Sequence, residues 1–123
     1  MLAQCELIAF GATTQPERAK AFYESVLGLR LLADEPWALV FDAHGTMLRL
    51  QKVQLFTPVP FTALGWKVDD IHARLQRLGQ AGVTAERYPH LEQDPLGVWT
   101  APGGGKVAWF KDPDGNTLSL TQF

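Results

Sequence analysis

Two stretches of the chain space their apolar residues as amphipathic helices do. In the first, TTQPERAKAFYESVLGL, the apolar positions are Ala19, Phe22, Tyr23, Val26 and Leu27. In the second, VDDIHARLQRLGQAGV, they are Ile71, Leu75 and Leu78. Steps of three and four residues line one face of a helix. A glycine follows each stripe, at Gly28 and Gly82, as is typical of helix C-termini. The pattern therefore predicts two helices that each bury one face.

Short β-rich segments surround both helices. Around the first helix they are ELIAFGA, LRLLA, ALVFDA and TMLRLQKV. Around the second they are TALGWKV, a short strand near Val83, LGVWTA, KVAWFK and TLSLTQF, with DPDG as a turn. We interpret this order as strand, helix and three strands, repeated, with the short strand near Val83 as an addition in the second copy. The first module covers about residues 1–55 and the second about 60–123, within a single domain of residues 1–123.

Composition excludes several classes of partner. The 123 residues are 46% hydrophobic and carry a net charge of -2, which suits one soluble domain without the basic surface of a nucleic-acid binder. No apolar run reaches the ~20 residues of a spanning helix, and MLAQCELIAF lacks the features of a signal peptide. Cys5 is the single cysteine, so no disulfide forms within the chain. We expect a cytoplasmic protein with neither nucleic-acid nor membrane partners.

Two longer motifs, AFYESVLGLRL and VAWFKDPDGNTLSL, resemble those of the vicinal oxygen chelate superfamily. That superfamily includes glyoxalase I, extradiol dioxygenases, and fosfomycin- and bleomycin-resistance proteins. The resemblance implies an α+β fold of paired βαβββ modules, whose strands form a cupped mixed sheet around a cavity with the helices on its outer face. Dimers are common in the superfamily, so the resemblance also implies a homodimer.

The resemblance further implies where a metal ion would be held. Counted from the motifs, the four ligand positions of metal-dependent members fall on Ile8, Arg49, Ala63 and Ser119. Divalent ions need lone pairs from carboxylate, imidazole, thiolate or carbonyl groups. Isoleucine and alanine offer none, a serine hydroxyl is a weak single ligand, and arginine is a permanent cation without an acceptor. We therefore expect neither a metal nor another cofactor.

The same register predicts the lining of the cavity, because alternate residues of a strand face the same side. The predicted ligand-binding residues are Glu6, Ile8, Phe10, Arg49, Gln51, Ala63, Lys67, Trp99, Trp109, Ser119 and Thr121. Small residues leave room there, and tryptophan offers a flat apolar wall. Arg49 could bind a carboxylate or phosphate of the ligand, or it could pair with Glu6 or another carboxylate. His90 is the histidine best placed to reach a pocket.

These residues favour a metal-free protein that binds a small molecule, sequestering or sensing a ligand that is planar and aromatic or anionic. The alternative is a glyoxalase-like metal-dependent lyase or isomerase, or a dioxygenase, with a non-standard ligand set such as Glu6, Gln51 and His90. A third possibility is a subunit whose role is assembly. The sequence identifies no catalytic residue, so it leaves enzymatic activity undecided.

Overall fold

A computed structural model describes all residues, 1–123, as two compact units, Met1–Thr57 and Pro58–Phe123. Each unit holds one helix and one four-stranded mixed sheet, and neither sheet closes into a barrel. The predicted α+β class and the repeated βαβββ order are confirmed. Neither helix has the length and apolar character needed to cross a lipid bilayer.

The first unit runs in the order β1 (Ile8–Thr13), α1 (Pro16–Ala21), a π-helical turn (Phe22–Val26), β2 (Arg30–Asp34), β3 (Ala38–Ala43) and β4 (Thr46–Lys52). Its strands are ordered β1-β4-β3-β2, with β1 parallel to β4 and the other pairs antiparallel. The β1–β4 pairing joins the two ends of the unit. The helical segment lies between these paired strands in the chain.

The π-helical turn is a departure from the regular helix that the sequence predicts. Its backbone N–H groups reach back five and six residues, from Leu27 to the Phe22 carbonyl and from Leu29 to the Tyr23 carbonyl. Phe22 and Tyr23 are both buried, and the Tyr23 ring lies 5.7 Å from that of Phe41. The wider turn allows two consecutive aromatic residues to enter the same core.

The second unit contains β5 (Thr62–Lys67), α2 (Ile71–Gln80), β6 (Trp99–Thr100), β7 (Lys106–Lys111) and β8 (Thr117–Gln122). Its sheet is ordered β5-β8-β7-β6, so β5 pairs with β8 as β1 pairs with β4. Asp70 begins α2 by accepting a hydrogen bond from the Ala73 amide, as aspartate commonly does at a helix N-cap. The buried stripe of α2 packs on the sheet face that holds Leu118 and Leu120.

The DPDG turn between β7 and β8 is held by its first carboxylate. Asp112 Oδ1 accepts hydrogen bonds from the Asp114 and Asn116 amides, and Asp112 Oδ2 accepts one from the Asn116 side chain at 2.8 Å. Gly115 adopts a φ of 88°, which glycine tolerates best. The motif therefore fixes the register of β7 and β8, and with it the neighbours of Trp109.

The predicted strand near Val83 is wrong. Residues 83–98 form an irregular loop, and the LGVWTA strand is reduced to Trp99–Thr100 with one isolated bridge between Gln93 and Trp99. The loop holds prolines at 89 and 95 and a glycine at 97, which interrupt a regular ladder. We call residues 83–98 the pocket loop, because several of its side chains line the cavity described below.

Candidate functional site

One face of the second unit's sheet brings together the predicted site residues of that half. Cross-strand partners on this face are Gly65 with Ser119, Lys67 with Thr121, Trp109 with Ser119, and Lys111 with Thr117. Trp99 joins them, since it pairs with Val107, which pairs with Thr121. Ala63 is exposed and lies at a register shift of β5. We call this surface the polar–aromatic face, and it lies opposite the face covered by α2.

A cavity of about 350 Å³ borders the polar–aromatic face. That volume is at the lower end of the range for small-molecule sites. Its lining residues are Pro60, Phe61, Thr62, Tyr88, His90, Leu91, Trp109, Lys111 and Thr117. They come from the segment that enters β5, from the pocket loop, and from the facing ends of β7 and β8. The cavity is thus bounded on one side by strands and on another by irregular chain.

Aromatic rings form a continuous group at this cavity. The Tyr88 ring meets Trp109 edge to face, with centroids 5.4 Å apart and planes at 86°. The Trp99 ring lies 6.2 Å from that of Trp109, and the His90 ring lies 6.0 Å from that of Tyr88. Burial, and then the charge of Glu86, raises the pKa of the Tyr88 phenol, which therefore stays protonated at neutral pH. The group offers apolar ring surface together with a neutral hydroxyl donor.

Gln93 holds the pocket loop in the conformation that presents Tyr88. Its side-chain oxygen accepts a hydrogen bond from the Tyr88 amide at 2.8 Å. Its side-chain nitrogen donates to the carbonyls of Glu86 and Gly97, both at 2.9 Å. One side chain therefore replaces the ladder hydrogen bonds that this irregular segment lacks.

A second anchor joins the pocket loop to α2. Asp94 lies 2.7 Å from His72 Nε2, and it accepts hydrogen bonds from the amides of Leu96 and Val98. Burial is the largest influence on the Asp94 carboxyl and opposes its ionisation. Taken together, the hydrogen bonds from His72, Val98 and Leu96 outweigh the effect of burial, so that the pKa of Asp94 is lowered. Arg87 adds two hydrogen bonds to loop carbonyls.

Lys111 is the cation at the cavity. Its ammonium group donates to the Thr117 hydroxyl at 2.6 Å, and it forms no ion pair with a carboxylate. Thr117 is buried, whereas Lys111 is exposed. A neutral partner orients the ammonium group without cancelling its charge. The positive charge therefore remains available at the wall of the cavity.

The predicted residues of the first unit lie on its own sheet or just ahead of it, and none of them lines this cavity. Ile8 and Phe10 pair with Met47 and Arg49 across parallel strands, and they are 45% and 55% exposed. Gln51 is exposed on β4, and Glu6 is exposed ahead of β1. Two neighbouring apolar side chains in contact with solvent form a surface open to a ligand or a protein partner.

Arg49 pairs with a carboxylate, but the carboxylate is Glu35 and not Glu6. The guanidinium nitrogen lies 2.7 Å from Glu35 Oε1, and a second guanidinium nitrogen lies 3.9 Å from the Met47 sulfur. Both ion-pair partners are about one quarter to one third exposed. Of the two roles considered for Arg49, the structure therefore favours the pairing with a carboxylate of the chain.

The residues present do not fit a divalent metal ion. The four ligand positions implied by the resemblance hold Ile8, Arg49, Ala63 and Ser119, and Arg49 is committed to Glu35. No group of three or more His, Cys, Asp or Glu side chains lies close enough to hold an ion. His72 is engaged with Asp94, and His90 lies beside Tyr88. The donor chemistry therefore supports no step through a metal.

Sequence reasoning missed several lining residues. Lys111 was detectable, since it lies two positions from Trp109 on β7 and so faces the same side. Tyr88 and Leu91 could not be predicted from strand alternation, because they belong to a loop whose path depends on Gln93 and Asp94. Phe61 lies before β5, where strand alternation gives no direction.

Comparison with known proteins places the chain in a family. A family model described as the glyoxalase/bleomycin resistance protein/dioxygenase superfamily matches residues 10–120. The chain belongs to this superfamily. The resemblance carried by the two long motifs is thereby confirmed. No curated protein sequence matches this member of the superfamily.

Solved structures show the same glyoxalase-type fold. TnmS3, an antibiotic-binding protein from Streptomyces sp. CB03234, is 29% identical, with a TM-score of 0.70 and 97% of each chain covered. A superfamily member from Sphaerobacter thermophilus is 22% identical, with a TM-score of 0.75 and full coverage of both chains. A lactoylglutathione lyase from Agrobacterium tumefaciens is 19% identical, with a TM-score of 0.71, covering 97% of this chain and 95% of its own. Both a binding protein and an enzyme thus share the fold, which does not by itself decide the function.

Proposed function

We propose that this glyoxalase-superfamily protein binds a planar aromatic small molecule without a metal ion, and that it sequesters or senses this compound. The proposal rests on one observation above all: the aromatic group of Tyr88, Trp109 and Trp99 beside a cavity of about 350 Å³. A site for a small aromatic ligand is lined mainly by apolar and aromatic side chains, with a few polar groups that orient the ligand. The predicted residues Lys67, Ser119 and Thr121 share that sheet face; Lys67 and Thr121 extend the proposed contact surface, whereas Ser119 is buried beside them.

Two further points support binding over metal-dependent catalysis. The ligand positions of metal-dependent relatives hold side chains unsuited to a cation, as Arg49 illustrates through its pairing with Glu35. The antibiotic-binding TnmS3 shares 29% of its sequence with this chain over nearly the whole length. The exposed Ile8 and Phe10 of the first unit remain candidates for additional contact with a ligand.

The test is isothermal titration with a panel of planar aromatic compounds, including polycyclic antibiotics. We expect dissociation constants in the micromolar range or below for some members. We also expect Trp109→Ala and Tyr88→Ala each to weaken binding at least about fivefold, because stacking of a flat ring on an aromatic side chain contributes about 1–3 kcal/mol. Trp37→Ala is the matched control, since Trp37 is a 65% exposed tryptophan in the first unit. If no compound binds below millimolar, or if Trp37→Ala weakens binding as much as Trp109→Ala, the proposal is wrong.

Metal content is measured on the same preparation. We expect elemental analysis to find no stoichiometric nickel, zinc, iron or manganese, and we expect ligand affinity to be unchanged by a chelator. A stoichiometric metal that chelation removes together with activity would instead establish the metal-dependent lyase, isomerase or dioxygenase.

We also propose that the protein acts as a cytoplasmic homodimer. The exposed free thiol of Cys5 suits a reducing compartment, and the exposed side chains of Ile8 and Phe10 offer apolar surface to a second copy. Sedimentation equilibrium at several concentrations tests this. A single monomeric mass across the range would contradict the dimer and leave the binding proposal unaffected.

A further inference from the structure

The two units differ in how many of their basic side chains are paired with a carboxylate. In the first unit, four of them form ion pairs, namely Lys20, Arg30, Arg49 and Lys52. Their charges are offset by Asp34, Asp42 and Glu35. On the polar–aromatic face of the second unit, Lys67 and Lys111 have no carboxylate partner. Two positive charges that no carboxylate offsets therefore lie on the sheet face that carries the aromatic group.

Lys111 and Lys67 differ in what they contact. The Lys67 ammonium lies 5.9 Å from the centroid of the Phe123 ring, in a cation–π arrangement. The Lys111 ammonium is hydrogen-bonded to Thr117 and lines the cavity with Trp109 and Tyr88. A lysine keeps three donors, so one bond to Thr117 leaves two for a ligand. Lys111 is thus the cation placed against both the cavity and the rings.

We propose that Lys111 selects the ligand by its charge, so that the pocket prefers an aromatic ring system bearing a carboxylate over the same ring system without one. The ring contacts Trp109 and Tyr88, and the carboxylate accepts a charge-assisted hydrogen bond from Lys111 Nζ. Thr117 is the positioning residue that orients the ammonium group. This inference rests on the proposed function, because it presumes that aromatic compounds occupy the cavity.

The test uses matched pairs of probes with the same ring system, in which a neutral amide replaces the carboxylate. The pairs are benzoate with benzamide, 2-naphthoate with 2-naphthamide, and anthracene-2-carboxylate with its amide, titrated by calorimetry into the full chain. We expect each carboxylate that binds to do so about three- to tenfold more tightly than its amide. That range lies between an exposed ion pair and a hydrogen bond to a charged group. The preference should shrink at high salt, since screening weakens exposed charges.

Variants test whether Lys111 is responsible for the preference for carboxylates over amides. Lys111→Gln should remove the difference between carboxylate and amide, and Lys111→Arg should retain it. Thr117→Val, nearly the same in shape, should reduce the difference in part. Lys106→Gln is the matched control: Lys106 begins the same strand, and its odd spacing from Lys111 puts it on the opposite face.

The outcomes separate the two proposals. Equal affinity for carboxylate and amide, or a preference that survives Lys111→Gln, overturns the role of Lys111 and leaves aromatic binding intact. Binding of neither member of any pair, or of any other aromatic compound in the wider panel, overturns the proposed function and this inference with it. If Lys106→Gln removed the preference as fully as Lys111→Gln, the preference would reflect net charge alone. The proposed role of Lys111 would then also be overturned.

Discussion

Gly97 and Ala85 lie so close together, near the two ends of the pocket loop, that a Cβ atom at Gly97 would be 2.5 Å from the Ala85 Cβ. Gly97 also adopts a φ of 97°, which L side chains rarely adopt. Gln93 donates to the Gly97 carbonyl at the same place. Closure of the loop therefore depends on a residue without a side chain.

The variant Gly97→Ala should lower the free energy of unfolding by roughly 2–4 kcal/mol, from the sum of backbone strain and overpacking. Adding Ala85→Gly to this variant should recover the part of the lost stability that comes from overpacking, because it removes the Cβ atom that the new side chain would meet. The part that comes from backbone strain at residue 97 should remain. Urea denaturation measures both. Gly103→Ala is the control, since nothing lies within 4 Å of that position and its φ is ordinary. Equal losses at 97 and 103 would contradict the close packing.

Removing the Gln93 side chain should loosen the pocket loop. In Gln93→Ala the Tyr88 amide loses its acceptor and two carbonyls lose their donor, at a cost of about 1–3 kcal/mol. Hydrogen exchange at the Tyr88 amide should accelerate, and aromatic ligands should bind more weakly. Glu92→Gln, an exposed neighbour in the chain, should change neither quantity. Unaltered protection of the Tyr88 amide in Gln93→Ala would show that another contact holds the loop.

The Asp94 anchor should make stability depend on pH in acid. Because its hydrogen bonds lower the folded-state pKa of Asp94 below the ordinary 3.8, the ionised carboxylate stabilises the fold above that value. The stabilisation is lost as pH falls through the folded-state pKa. The difference in unfolding free energy between wild type and Asp94→Ala should therefore shrink as the pH falls below about 4–5.

Denaturation at a series of pH values measures this difference. Asp69→Ala serves as the control, because Asp69 is strongly exposed and lies 3.8 Å from its arginine partner. A difference between wild type and Asp94→Ala that persists undiminished at pH 2 would contradict the role of the carboxylate.

The ion pair of Arg49 with Glu35 should be structural and of small effect. We expect Arg49→Gln and Glu35→Gln each to change the free energy of unfolding by less than about 1 kcal/mol, as is usual for partly exposed pairs. Both variants should retain the affinity for aromatic carboxylates, because the charge of Arg49 is already offset. A tenfold weakening in Arg49→Gln alone would restore Arg49 as a ligand-binding residue.

The fold was predictable from the sequence because its signals are local. The helix stripes, the glycines that end the helices and the DPDG turn each act over a few residues, and they agree with one another. The strand near Val83 failed because the chain there is organised by Gln93, Asp94 and Arg87 through side-chain bonds to backbone groups. Such bonds leave no periodic pattern to detect.

The site was predictable only where strand alternation governs it. Trp109, Ser119 and Thr121 share a face because a strand has a period of two, and the same rule reaches Lys111. Tyr88 lies on a loop and follows no period. The partner of Arg49 was ambiguous for a different reason: Glu35 is fourteen residues away in the chain and is brought close by the register of β2 and β3.

The cavity has two kinds of wall, and they tolerate change unequally. Trp109, Lys111 and Thr117 belong to paired strands, whose backbone hydrogen bonds hold these side chains in a fixed register. Tyr88, His90 and Leu91 sit on chain tethered by a handful of side-chain contacts. Insertions or substitutions in that segment can therefore reshape one wall of the cavity without altering the strand wall.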